Sequence, residues 1–163
     1  MYNKNFQTIF CYNSANGRTT TMAGSTVNGN LPSSSIGYTA QYCHYGALNA
    51  TGAFHVIIGA GDTAPTIDDY DLADSSIMAS DKMQSQLQMT TRSRANGAVI
   101  STQWYNSSAA PITVKEIGLA FKNQNAAYSK AANYMVGRKV LDTPVTIQPG
   151  ETYIFSYRVT FEQ

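Results

Sequence analysis

The clearest strand pattern in the chain is TPVTIQPGETYIFSYRVTF, residues 143–161. Apolar and polar side chains alternate along it, which is the two-residue period of a half-buried β-strand. Pro149 and Gly150 interrupt the alternation and fit the central positions of a type II turn. The stretch therefore predicts a C-terminal hairpin. We expect one face of its second strand to be buried, with five large side chains: Tyr153, Phe155, Tyr157, Val159 and Phe161.

Strand-like segments recur upstream of this stretch. They are IGYTAQYCHYG (36–46), FHVIIGAG (54–61), MQSQLQMTTRS (83–93), AVISTQWYN (98–106) and ITVKEIGLAF (112–121). Asn96-Gly97 is a strong hairpin signal and predicts that the segments on either side of it pair. In ITVKEIGLAF the apolar parity changes after Val114, which predicts a β-bulge near Lys115–Glu116. Only residues 123–134 hint at helix, and at no more than a short turn of one.

Short strands separated by turn signals predict an all-β protein with a single antiparallel β-sandwich, of the jelly-roll or immunoglobulin-like kind. We expect the sandwich domain to span residues 36–163 and an irregular N-terminal arm to span residues 1–35. Within the arm, residues 6–12 can form a strand. Residues 13–35 are rich in Asn, Ser, Thr and Gly and too poor in large apolar side chains to bury a core. This tract is either a long surface loop or an arm that orders against a partner.

The charge content of the chain is low and uneven. Charged residues make up 13%, against about 25% in ordinary soluble domains. Residues 1–61 contain no Asp or Glu. Because packed interfaces are depleted of Lys, Glu and Asp, this favours assembly with copies of itself and with other proteins, although a neutral polar surface also stays soluble. A net charge of +1 gives no reason to expect a nucleic-acid partner.

Neither a membrane segment nor a signal peptide is predicted. No apolar run reaches the roughly 18–20 residues that a membrane helix needs, and FQTIFCY after Lys4 is too short for a signal sequence. Two cysteines, Cys11 and Cys43, do not make a disulfide framework. We expect them to be thiols in a protein made in a reducing cytoplasm.

The stretch DTAPTIDDYDLAD, residues 62–74, holds five of the ten acidic residues. An EF-hand calcium loop is excluded because the required Gly and closing Glu are missing. A looser calcium site made by Asp69, Asp71 and Asp74 stays open as an alternative. The favoured interpretation is a sheet corner built from turn residues, with Tyr70 and Leu72 anchoring it to the core.

No catalytic, cofactor-binding or metal-binding residue is assigned. Nucleophilic catalysis needs a positioned histidine, and the chain has only His44 and His55 and no G-x-S-x-G motif. A zinc site made from both histidines with Cys11 and Cys43 matches no known ligand spacing. An enzyme is therefore disfavoured, and both histidines are expected to be neutral residues in or near strands.

Three segments resemble a group of small tailed-bacteriophage proteins: GAGDTAPTIDDYDL, then ITVKEIGLAF, then VGRKVLDTPVTIQPGETYIFSYRVTF. In that group a "GTGTTAPTxDDYxL"-like segment precedes an "I-x-EIGL" strand and a C-terminus containing "PVTxxxG". The resemblance covers roughly residues 54–163 and leaves residues 1–53 unmatched. It implies a virion or assembly protein with a β-sandwich.

The leading functional hypothesis is a structural component of a phage particle, namely an auxiliary or decoration protein of the head. It would bind through its charge-poor half, in which Tyr38, Tyr42 and Tyr45 are interface candidates. A tail, neck or fibre-attachment component is the second hypothesis. A carbohydrate-binding module or adhesin is the third, and it requires an exposed aromatic platform. Two sets of residues can supply one: Trp104 with Tyr105, or Tyr70 with Asp69 and Asp71.

Overall fold

The computed structural model describes residues 18–20, 26–28, 54–79, 81–93, 97–123 and 132–160. Eight strands lie in this part: β1 (Arg18–Thr20), β2 (Thr26–Asn28), β3 (Phe54–Gly59), β4 (Met83–Ser93), β5 (Gly97–Asn106), β6 (Ile112–Asn123), β7 (Ala132–Ile147) and β8 (Thr152–Thr160). A short 3₁₀ turn spans Ser76–Met78. Within these described ranges, no helix is long and apolar enough to cross a membrane.

Two antiparallel sheets of three strands form the sandwich. The first sheet has the order β3-β6-β7 and the second has the order β4-β5-β8. The predicted all-β sandwich is confirmed. A separate two-stranded ladder joins β1 and β2, with Thr19 opposite Val27. It lies inside the tract 13–35, for which the sequence predicted only a loop or an arm.

The core lies between the two sheets, where one face of each strand is apolar. The first sheet contributes mainly Phe54, Val56, Ile58, Ile112, Val114, Ile117, Leu119, Val136 and Ile147. The second contributes mainly Met83, Ala98, Ile100, Trp104, Phe155, Tyr157 and Val159. Burying each of the larger side chains stabilises the fold by about 1.5–3 kcal/mol. This shared core is what holds the two sheets face to face.

Trp104 and Thr102 of β5 also bind the first sheet through hydrogen bonds. The Val56 N–H donates to Thr102 Oγ1 at 2.8 Å, and Trp104 Nε1 donates to the Val56 carbonyl at 3.0 Å. Both bonds are buried, and β3 lies at the edge of its sheet. Side chains of one sheet therefore satisfy backbone groups on an edge strand of the other, which would be costly to leave unpaired.

The predicted C-terminal hairpin is wrong, although its turn is correct. Gly150 has φ 78°, and the Glu151 N–H donates to the Gln148 carbonyl at 3.0 Å, as a type II turn requires. However, β7 pairs with β6 and β8 pairs with β5. The turn therefore carries the chain from one sheet to the other. Alternation shows which face of a strand is apolar, but it does not show which strand is its neighbour. The sequence could therefore not distinguish a hairpin within one sheet from a crossing between the two sheets.

Asn106, at the end of β5, holds this crossing in place. Its backbone bonds the turn, accepting from the Gly150 N–H and donating to the Glu151 carbonyl, both at 2.9 Å. Its side chain is fully buried, and Nδ2 donates to the carbonyls of Ala110 and Ile147 at 2.9 Å. One asparagine thus binds both the β5–β6 connection, at Ala110, and the β7–β8 connection, at Ile147, Gly150 and Glu151.

Two local predictions are confirmed. The strands flanking Asn96-Gly97 pair as a hairpin, with Ser93 opposite Gly97, although residues 94–96 lie outside the described ranges. The β6–β7 register shifts between Val114 and Glu116, as the change of parity predicted. The helical hint at 123–134 is not met where it can be checked, because residue 123 belongs to β6 and residues 132–134 belong to β7.

The predicted inner face of β8 is confirmed only in part. Phe155, Tyr157 and Val159 are buried in the core. Tyr153 is 44% exposed, so its assignment to the core was wrong. Its ring lies 4.8 Å from that of Phe155, at the start of a strand on the edge of its sheet. Phe161 lies outside the described residues.

Candidate functional site

Glu116 and Arg138 form a buried ion pair on the outer face of the first sheet. Glu116 is on β6, and Arg138 is on β7 opposite Gly118, so the two side chains are diagonal neighbours on one face. Arg138 Nε donates to Glu116 Oε2 at 2.5 Å, and the two side chains are 4% and 0% exposed. A charge buried this deeply is tolerated only when it is paired and hydrogen-bonded.

The Glu116 carboxylate also binds the backbone of the acidic stretch. Oε1 accepts from the N–H groups of Gly61 at 3.1 Å and Asp74 at 2.9 Å, and Oε2 accepts from Ala73 at 3.2 Å. Gly61 directly precedes the stretch 62–74, which we call the acidic corner, and Ala73 and Asp74 are its last two residues. Glu116 therefore closes the corner by holding its ends together.

Arg138 binds the acidic corner at Thr63, near its start, and at Asp69, near its middle. Nη1 donates to Asp69 Oδ2 at 2.8 Å, and Nη2 donates to the carbonyl and hydroxyl oxygens of Thr63 at 2.9 and 3.2 Å. Asp69 in turn accepts from Thr66, from the N–H at 2.9 Å and from Oγ1 at 2.7 Å. Glu116, Arg138 and Asp69 thus form one continuous network that fixes the corner on the sheet.

The charges of this network shift the pKa values of two of its groups. Burial raises the pKa of Asp69, but the hydrogen bonds from Thr66 and the charge of Arg138 outweigh it, so the net pKa is lower than usual. Burial lowers the pKa of Arg138, but Asp69 and Glu116 outweigh it and raise the pKa overall. Both groups are therefore held in their charged forms.

Glycine is required where the backbone passes the Glu116 carboxylate. A Cβ added to Gly59 or Gly61 would lie 2.5 Å from Glu116 Oε1, which is closer than real Cβ atoms come. At Gly61 it would also meet the Ala73 Cβ at 2.5 Å. The segment GAGD thus has its glycines where the chain approaches the buried carboxylate.

Leu72 anchors the acidic corner, as predicted, but Tyr70 does not. Leu72 is buried in a second apolar cluster on the outer face of the first sheet, together with Ile57, Ala120 and Met135. Tyr70 is 45% exposed, so the expectation that it anchors the corner was wrong. The corner therefore covers the outer face of the first sheet and turns Tyr70 toward solvent.

The structure does not support a calcium site at Asp69, Asp71 and Asp74. Asp69 binds Arg138 and Thr66, Asp71 accepts from the Leu72 N–H at 2.8 Å, and Asp74 accepts from the Ser76 N–H at 2.9 Å. In the part of the chain that the structure describes, no group of three or more His, Cys, Asp and Glu side chains could hold a metal ion. Burial, opposed by the Leu72 bond and reinforced by the charge of Glu116, raises the pKa of Asp71.

The outward face of the second sheet is polar but nearly uncharged. Hydrogen bonds join Ser101 to Ser156 at 2.8 Å and Gln103 to Gln86 at 3.2 Å. Among its described outward positions on β4, β5 and β8, only Arg158 is charged. The described part of this face is therefore as poor in charged side chains as residues 1–61 are in the sequence.

Trp104 cannot serve as a carbohydrate platform. It is 6% exposed and its indole N–H is bonded to Val56 in the core, so the pair Trp104–Tyr105 is excluded as an aromatic surface. Tyr70 beside Asp69 and Asp71 remains available because its ring is at the surface. The large apolar side chains exposed in the described ranges are Ile67, Tyr70, Tyr153 and Ile154.

Several candidates fall outside the described residues: Cys11, Tyr38, Tyr42, Cys43, His44 and Tyr45. The zinc hypothesis and the interface tyrosines therefore stay predictions. Sequence reasoning missed Glu116, Arg138 and Asn106. A signal for the first was present, because a glutamate within the apolar run ITVKEIGLAF is a charge that needs a buried partner. Nothing in the sequence identified Arg138 as that partner.

Comparison with protein-family models, with curated proteins and with solved structures finds no match to this chain.

Proposed function

We propose that this chain is a structural component of a bacteriophage particle and that it has no enzymatic activity. Its leading role is that of an auxiliary or decoration protein of the head, acting through subunit contacts. Its partners are copies of itself and other virion proteins, and it is located in the virion after assembly in the host cytoplasm. Neither a nucleic acid nor a membrane is proposed as a partner.

This proposal rests on one observation: each of the three phage-like segments contributes one charged side chain to the same network. GAGDTAPTIDDYDL supplies Asp69, ITVKEIGLAF supplies Glu116, and VGRKVL supplies Arg138. These three side chains form the network that fixes the acidic corner. One charged side chain from each of the three segments is thus bound in a single network, and this network folds the acidic corner onto the sheet. A network of this kind supports a structural role rather than a reactive centre.

The distribution of charge supports a role in assembly. Residues 1–61 lack acidic side chains, and the described outward face of the second sheet has only Arg158 as a charge. Surfaces that are buried between subunits are depleted of charged side chains. Burial of these surfaces in contacts with neighbouring subunits would account for their low charge.

The test is to locate the protein in particles. Particles produced from the source genome are purified on a density gradient, dissociated and analysed by mass spectrometry, and intact particles are labelled with an antibody against the chain. We expect its peptides at stoichiometric level and label distributed over the head. Label confined to the tail or neck would establish the second hypothesis, a tail, neck or fibre-attachment component. Particles that lack the chain would overturn both.

A carbohydrate-binding module or adhesin is the alternative from another class, and the exposed ring of Tyr70 favours it. Aromatic rings flanked by carboxylates can bind a sugar, and Asp69 and Asp71 flank Tyr70. A glycan array tests this alternative. A reproducible signal that is lost on Tyr70→Ala and kept on Tyr153→Ala, a matched exposed tyrosine, would replace the assembly proposal. We expect no such signal.

A further inference from the structure

The acidic corner contributes almost nothing to the core between the two sheets. Leu72 is the only buried residue of the corner. It packs in the outer cluster, which also contains Ile57, Ala120 and Met135. The flanks of the corner are held independently of it, because β3 ends at Gly59 and Ile77 of the following 3₁₀ turn is buried in the main core. Loss of the corner from the sheet would therefore leave the main core intact.

The neck of the corner is closed without help from the residues between its ends. The Ala60 N–H donates to the Asp74 carbonyl at 2.9 Å, and Glu116 accepts from the N–H groups of Gly61 and Asp74. Compact surface loops whose two ends lie close together often carry function. The corner is a loop of this kind, so movement of its body, residues 62–72, leaves the bonds of the neck in place.

The body of the corner is held mainly by polar bonds that water can replace. Arg138 binds it at Asp69 and at Thr63, and Leu72 is its only buried side chain. When the body lifts, Arg138 keeps its bond to Glu116, so no buried charge is left without a partner. Opening therefore costs less than unfolding the sandwich, as is general where buried apolar contacts are few.

We propose that the body of the acidic corner is a lid, which lifts from the outer face of the first sheet as a unit while the sandwich stays folded. The bond between Asp69 and Arg138 closes it. The open form exposes an apolar patch made of Ile57, Ala120 and Met135, none of which is more than 4% exposed when the lid is closed. The lid goes beyond the proposed function and does not depend on it.

Two buried methionines distinguish opening of the lid from unfolding of the sandwich. Met135 lies in the outer cluster and is 0% exposed, whereas Met83 lies in the main core and is 1% exposed. Hydrogen peroxide transfers one oxygen atom to the Sδ atom of an accessible methionine, which becomes a sulfoxide, and is itself reduced to water. The full chain is treated with peroxide at neutral pH, and mass spectrometry of its peptides gives the oxidation rate at each methionine.

We expect Met135 to be oxidised at least about tenfold faster than Met83 in the unmodified protein, because local opening is more frequent than unfolding. Asp69→Asn should speed the oxidation of Met135 about tenfold, since it removes a charged hydrogen bond that only the closed lid makes. Ile100→Val weakens the main core, which the open and closed forms share. It should speed oxidation of Met83 several-fold and change that of Met135 by less than about twofold.

Asp62→Asn is the matched control, because Asp62 lies in the same lid but binds Lys115 at an exposed site. It should change neither oxidation rate by more than about threefold. Equal rates at Met135 and Met83 in the unmodified protein would overturn the inference. So would equal acceleration of both by Ile100→Val, or a Met135 rate that Asp69→Asn leaves unchanged. None of these results touches the proposed function, which fails only if purified particles lack the chain.

Discussion

Arg138 donates from Nε to Glu116 Oε2 across two paired strands, with neither side chain more than 4% exposed. The same guanidinium reaches Asp69 in the acidic corner, and the same carboxylate accepts three backbone N–H groups from the ends of that corner. Buried ion pairs often add little net stability, but removing one partner is costly because the other is left uncompensated. The pair therefore specifies where the corner lies.

Gly61→Ala should destabilise the protein by about 2–3 kcal/mol, because the added methyl displaces a carboxylate that is already fully bonded. The measurement is the free energy of unfolding in urea. Gly150→Ala is the control, since a Cβ there meets no atom and only the positive φ resists it. It should cost about 1 kcal/mol. An equal or smaller loss at Gly61 would contradict the close approach to Glu116.

Asp69→Asn should lower stability at neutral pH and have less effect in acid. The pKa of Asp69 is depressed in the folded state by Thr66 and Arg138 acting against burial. Its contribution is therefore complete above the unfolded carboxyl pKa, near 4, and is lost as pH falls through the lower folded pKa. Urea midpoints of the two proteins should converge below about pH 4.

Asp71→Asn provides the control of opposite sign. Burial, together with the charge of Glu116, raises the pKa of Asp71 in the folded state, so its ionised form is disfavoured there. This variant should be as stable as the unmodified protein at neutral pH, or more stable. A loss at Asp71 equal to that at Asp69 would contradict the assigned network.

Phe155→Ala should cost about 3–5 kcal/mol, because it opens a cavity in the core between the sheets. Ile154→Ala, one position away on the exposed face, should change stability by less than about 1 kcal/mol. Both are measured by chemical denaturation. A large loss at Ile154 with a small one at Phe155 would mean that the opposite face of β8 is buried.

Calcium should have no effect on stability if the acidic corner is held by Arg138 and its own hydrogen bonds. A metal that bound the folded state would raise the melting temperature by mass action. We expect the same melting temperature in excess calcium and in EDTA. A shift of several degrees, abolished by Asp74→Asn, would restore a calcium site to the corner.

Features that depend on neighbours in the sequence were predictable. The bulge after Val114 follows from a change of parity, and the turn at Pro149-Gly150 follows from backbone preferences. The partners of β7 and β8 were not predictable, because the face of a strand does not identify its neighbour. Tyr153 was wrongly assigned to the core for a related reason. Alternation places it on the inner face of β8, but it cannot show that this end of an edge strand is left partly uncovered.

The candidate site was visible only in its parts. The acidic corner, Leu72 as its anchor and its turn chemistry followed from residue types. The joining of Asp69, Glu116 and Arg138 depends on strand pairing and on a loop folded over the outer face of a sheet. The sequence indicates that a buried glutamate needs a cationic partner. The register of β6 against β7 makes Arg138 that partner, and this register could not be read from the sequence.

The most direct test of the account is a double-mutant cycle on Glu116 and Arg138, with Glu116→Gln, Arg138→Gln and the double variant unfolded in urea. Each single change should cost about 3–5 kcal/mol, and the double should cost less than their sum by at least about 1 kcal/mol. The exposed pair Lys115–Asp62 also joins β6 to the corner and should show coupling below about 1 kcal/mol. Losses at Glu116 and Arg138 that add within about 0.5 kcal/mol would contradict the claim that this pair fixes the corner.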